Sequence, residues 1–304
     1  MPYRAMLPPM PNLNLVQKKD LSSFRRIAIG TWTTAKDPSI YGQLRLRADK
    51  MLRYIEEFRA RTGKRLTITH VMAKAVAIVM AEMPDANAVL RFNRIYLRKD
   101  IGVFFQVAME DPVNKQIDLS GATIFDAHKK TLEQLVDEFE AKVATVRAGK
   151  DKELEGTRST FKKIPFFFLN TFLNLLSFFS FTLNLDLRFL GIPKDPFGSA
   201  MVTNVGSLGL EEAYVPLVPY SLVPLLIAVG NVADEAVVED GRVVPGKVLR
   251  ACATLDHRVL DGMHAAHMSK VMRKIFDDPE TWLGALPAGA NAATPAALAA
   301  AASA

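Results

Sequence analysis

The sequence predicts an α/β fold, a two-layer sandwich in which helices cover a mixed sheet. Three observations carry this. Runs with apolar/polar alternation recur between segments whose apolar residues have helical spacing. Asp240-Gly241 separates two valine-rich runs, 236–239 and 242–244, as a hairpin turn would. Near the C-terminus an apolar strand-like run, 248–255, leads through a short polar turn into a segment with helical period, 263–276.

Taken in order, residues 43–47 alternate as a half-buried strand, and Asp49 is placed to N-cap a helix with Met51, Leu52, Ile55 and Phe58 on one face, stopped by Gly63. A second helix is expected over 69–83, before Pro84. Residues 95–109 hold two strand-like runs around Lys99-Asp100. Phe125, Leu132, Leu135, Phe139, Val143 and Val146 read as the stripe of one long helix ending near Gly149. The closing helix stops at Asp278-Pro279.

At 304 residues and 49% hydrophobic content the chain can bury a full core, read here as one domain over 20–286 between an N-terminal arm, 1–19, and a tail, 287–304. The tail is Ala/Pro-rich and too poor in bulky side chains to order itself. No signal peptide is evident in 1–14, which fits a cytoplasmic protein. The net charge of +6 is spread along the chain, arguing against nucleic acid while suiting an anionic cofactor. Cys252, alone, excludes an internal disulfide and reads as inert core.

Residues 254–262 read Thr-Leu-Asp-His-Arg-Val-Leu-Asp-Gly. A histidine at a strand-to-helix corner can project into a cleft with both flanks held rigid, and an imidazole titrates near working pH, so His257 is the candidate general base. Its alternative is a surface or capping histidine. Arg258 and Asp261 can pair and hold the loop. His264 and His267 have no third ligand at useful spacing, so no metal is expected. His70 and His128 read as helix-surface or capping residues, and residues 206–209 as a turn rather than a nucleotide loop.

The DHRxxDG string resembles the catalytic domain of the acyltransferase subunits of 2-oxoacid dehydrogenase complexes, relatives of chloramphenicol acetyltransferase. Further blocks follow the same family in order: Arg25-Arg26-Ile27-Ala28, residues 64–75 and 83–88, Val202-Thr203-Asn204-Val205-Gly206, and residues 215–219 with 225–230. The resemblance implies a chloramphenicol acetyltransferase-like fold and acyl transfer between thiols, with coenzyme A as a substrate. His257 would take the thiol proton, its ring held by its own backbone carbonyl, and Thr203 would donate to the oxyanion. Asp261 would pair with Arg258 or Arg25. Asn204 would support its strand, line the channel or pack in the core. A homotrimer is implied, with His257 and Thr203 from different chains; a larger cage of trimers and dehydrogenase-complex partners are left open.

Two departures stand out. Residues 109–116 replace the family's usual channel strand, and no lipoyl or subunit-binding domain precedes the catalytic block, so no lipoyl group is expected on this chain. An apolar insertion also spans about 161–197. Residues 164–185 carry no charge, and residues 161–190 hold nine of the chain's 18 phenylalanines. Interrupting Pro165, Asn170 and Asn174 argue against a membrane span. An oligomer contact or extra core, docking of 164–190 on a membrane surface aided by Lys162, Lys163, Arg188 and Lys194, and a pocket for a long acyl chain remain open. Against the enzyme stands one rival, a catalytically silent assembly protein on the same scaffold.

Overall fold

The computed structural model describes residues 38–92, 94–110, 117–147, 164–188 and 191–287. The expectations for the arm, Arg25, the 111–116 channel segment, Lys162, Lys163 and the tail from residue 288 lie outside them.

Strand β1 (Ser39–Arg47) is followed by helix α1 (Asp49–Thr62), which buries Met51, Tyr54, Ile55 and Phe58. Gly63 ends α1 at φ 69°, a left-handed conformation that costs glycine little, and its N–H donates to the Arg59 carbonyl. Asp49 is not the N-cap. Ala48 takes that position, while the Asp49 carboxylate meets the Arg47 guanidinium and accepts from the Lys247 N–H at 3.2 Å.

Helix α2 (Ile68–Glu82) is buried almost from end to end and forms the centre of the helical layer. Thr67 and His70 cap it reciprocally, so His70 does cap, but at 1% exposure it is a core residue rather than a surface one. A two-stranded ribbon, β2 (Ala88–Arg91) and β3 (Arg94–Leu97), precedes the hairpin of β4 (Gly102–Glu110) and β5 (Ile117–Phe125).

The predicted long helix from Phe125 starts late: Phe125 ends β5, and α3 runs over Leu132–Arg147. Asp126 at φ 53° turns the chain, and a reciprocal cap between Thr131 and Gln134 sets the first helical residue.

After the insertion, β6 (Ala200–Asn204) enters the sheet, and β7 (Leu225–Glu239) and β8 (Arg242–Asp256) form the predicted hairpin about Asp240 and Gly241, both at positive φ. Helices α5 (Gly262–Asp277) and α6 (Pro279–Leu283) close the described chain. The strand order is β1-β8-β7-β6-β4-β5, with β6 parallel to both β7 and β4 and the other pairs antiparallel. One core joins this mixed sheet to α1, α2, α3 and α5, fixed by Phe58, Phe105, Leu135 and Phe276 at 1% exposure or less. This is the predicted α/β sandwich.

The insertion forms a 3-10 turn (Phe166–Phe168), helix α4 (Leu169–Ser177) and a π-helical turn (Phe178–Thr182). Among the described residues no helix is long and apolar enough to cross a membrane.

Candidate active site

His257 directly follows β8. The strand is held by β1 on one side and β7 on the other up to its last residue, and the His257 N–H donates to the Pro38 carbonyl at 3.0 Å, so the backbone entering the turn is fixed. Val259 and Leu260 N–H groups return to the Asp256 carbonyl. Asp256, 7% exposed, accepts from the Arg258 N–H and takes the guanidinium in two bonds of 2.9 Å and 2.7 Å. The expected pairing of Arg258 with Asp261 is therefore not the one formed here. Asp256 wins because an aspartate opening a turn already accepts the N–H two residues on, which sets its carboxylate beside the Arg258 side chain.

Asp261 is instead the N-cap of α5. Its carboxylate accepts from the Met263 and His264 N–H groups at 2.9 Å and 3.1 Å, and the His264 ring closes the box from the other side. Bonds from the His264 backbone and then its ring hold the Asp261 carboxyl below the usual range. Arg25 is outside the described residues.

The His257 ring is anchored through Nδ1 to the Leu260 carbonyl at 3.0 Å, not to its own carbonyl as expected. A carbonyl only accepts, so Nδ1 carries the proton. Nε2 of the neutral ring then presents a lone pair, and the side chain is exposed to take a proton from outside the chain.

Thr203 sits near the end of β6, half-buried, in register with Ala228 of β7 and, through it, Cys252 of β8. Ala200 and Val202 join the core under the helices, whereas Met201 packs in a cluster on the opposite face. By alternation Thr203 faces that second face and Asn204 the helices. Asn204 Nδ2 donates to Thr69 Oγ1 at 2.8 Å and its Oδ1 accepts from Ser207, tying β6 to α2 and to the next turn. Cys252 is buried, and burial pushes its thiol pKa up.

His257 and Thr203 do not meet within one chain. His257 lies five residues past the register position of Thr203 and two strands away, a separation of roughly 19 Å at ordinary strand spacing. The segment after Thr203 crosses tightly against β7: a Cβ on Gly230 would lie 1.8 Å from the Glu211 carbonyl oxygen, so only glycine fits there. Among the described residues no group of three or more His, Cys, Asp or Glu could hold a metal.

A sequence model of the family described as 2-oxoacid dehydrogenases acyltransferase (catalytic domain) matches residues 15–162 and 197–284. The chain belongs to that family. A lipoamide acyltransferase component of the branched-chain alpha-keto acid dehydrogenase complex of Bacillus subtilis is 23% identical over 73% of this chain and 42% of its own length. Among solved structures, a probable dihydrolipoamide acetyltransferase of Listeria monocytogenes superposes at TM-score 0.65 with 16% identity, covering 90% of this chain and 99% of that one. The cubic core of a pyruvate dehydrogenase multienzyme complex gives 0.64 at 18% identity, covering 91% and 100%. These likenesses establish the fold, that of acyltransferase cores with the chloramphenicol acetyltransferase-like architecture. The chain spans less than half the length of the curated relatives it matches.

Proposed function

We propose that residues 20–286 form a coenzyme A-dependent acyltransferase domain that moves an acyl group between thiols at a seam between copies of the chain. The observation that carries this is the His257 ring, locked through Nδ1 on the Leu260 carbonyl with Nε2 outward. Nε2 removes the proton of the incoming thiol. The thiolate attacks the acyl-thioester carbonyl, and the Thr203 hydroxyl of a neighbouring copy donates to the oxyanion. The intermediate then collapses, expelling the first sulfur, which takes the proton back from His257.

The roughly 19 Å between the two groups in one chain supports a site shared between protomers, in the symmetric trimer that places each His257 against the next chain's Thr203. Family membership supports oligomeric assembly with dehydrogenase-complex components as partners. The protein is proposed to work in the cytoplasm.

The test is acyl transfer from an acyl-coenzyme A to a soluble dithiol. His257→Ala is expected to lose about two to four orders of magnitude and Thr203→Ala about two to three. Co-assembling the two variants should recover activity at about a quarter of the sites, since a seam with both native groups arises whenever each neighbour supplies its intact half. Equal background rates in the parent and both variants would leave only a silent scaffold. Two fully active single variants would remove both assignments.

A further inference from the structure

Residues 163–196 fall in the gap of the family match, so this apolar segment is an addition to the shared domain. Helix α4 buries Leu169 and Leu173 against Ile164, Phe172, Leu176 and Tyr220. Its other side is also apolar: Phe168, Leu175, Phe178 and Phe179 are 40–54% exposed. Asn170, Thr171 and Asn174 form a polar stripe on the helix, so the exposed phenylalanines and Leu175 make one uncovered apolar patch beside it. The ribbon β2–β3 adjoins it. Arg91 of β2 donates to the Thr182 carbonyl at 2.9 Å and lies 5.0 Å over the Tyr96 ring, joining the insertion to a ribbon that itself exposes Phe92, Ile95 and Leu97.

We propose that this joint surface docks on an anionic phospholipid bilayer, lying in the headgroup region without crossing. Charge around the patch favours that occupant. The two acids nearest the insertion are already engaged by arginines, Asp186 by Arg188 and Asp195 by Arg98. Arg94, Lys99 and Lys194 are exposed and form no ion pair among the described residues. In sequence, Lys162 and Lys163 immediately precede the segment. A second copy of the same patch would bring cations against cations, whereas anionic headgroups neutralise them while the phenylalanines enter the acyl boundary. The absence of charge over 164–185 suits shallow burial, and the shortness of α4 keeps it in the plane of the surface.

The test is co-sedimentation of the intact chain with vesicles of phosphatidylcholine alone and of equal parts phosphatidylcholine and phosphatidylglycerol. Binding is expected to the mixed vesicles only, and to weaken as salt screens the headgroups. Phe178→Ser with Phe179→Ser should abolish it, and Arg94→Glu with Lys99→Glu should lower partition by more than about tenfold, both with acyl transfer to soluble thiols retained. Failure to bind mixed vesicles, or binding that the charge reversals leave unchanged, overturns the proposal. So does a Phe178→Ser, Phe179→Ser variant that changes oligomer mass but not lipid partition, since the occupant is then another copy. The vesicle measurement is independent of acyl transfer, so this inference and the enzymatic reading fail separately.

Discussion

At the scale of single residues, the orientation of one imidazole depends on its neighbours in the turn. Asp256 and Arg258 hold the backbone that brings the Leu260 carbonyl under His257 Nδ1. They are positioning residues. Asp256→Asn keeps the shape of the turn but loses the charge-assisted fork, and is expected to lower kcat by about tenfold or more with KM little changed. Steady-state kinetics checks this, and an equal fall in parent-like folded protein would be read from its circular dichroism. His70 gives a second prediction at this scale. Burial, with Arg65 and Arg59 nearby, lowers its pKa to about 4, and its Nδ1 already accepts from the Thr67 N–H. The unfolded chain binds that proton first, near the ordinary histidine value. Stability is therefore intact above about pH 6.5 and falls by about 3 kcal/mol as pH drops to about 4, a loss that urea unfolding of His70→Gln should largely lack. The sequence singled out His257 as the candidate base by its corner position. It did not show the Leu260 anchor, because that contact depends on how the turn closes in space.

At the scale of elements, caps and breaks decided what periodicity left undecided. The apolar stripe from Phe125 to Val146 read as one helix because a strand side chain and a helix side chain can fall on the same spacing by chance. Asp126 and the Thr131–Gln134 box divide it. At α5 the aspartate expected to pair with arginine is a helix cap, so Asp261→Ala is expected to lower the denaturant midpoint of unfolding, whatever its effect on turnover. In the insertion, Leu173 is fully buried against its neighbours. Leu173→Ala should cost about 2–4 kcal/mol of local or global stability, seen as faster hydrogen exchange of α4 even if the rest of the domain holds. An unchanged exchange rate would mean that α4 is not packed on Tyr220.

For the whole molecule, a single copy leaves His257 exposed and Thr203 roughly 19 Å away across the sheet. Activity per chain is accordingly expected to fall on dilution, in step with dissociation followed by sedimentation velocity, while far-ultraviolet circular dichroism stays constant. Activity that persists in a monomer would contradict a shared site. What the sequence determined by itself was local: alternation of strand and helix, the Asp240-Gly241 hairpin, the glycine stop of α1, and a string of residues that marks the family. These depend on neighbours a few positions apart, whose side-chain periods and turn preferences are written in order along the chain. Tertiary structure alone decided which carboxylate Arg258 takes, which carbonyl anchors His257, that a capping histidine is buried under Phe139, and that the insertion lies against the β2–β3 ribbon. Each joins groups whose meeting depends on the closing of a turn or the packing of separate elements, and no local pattern records which partner wins.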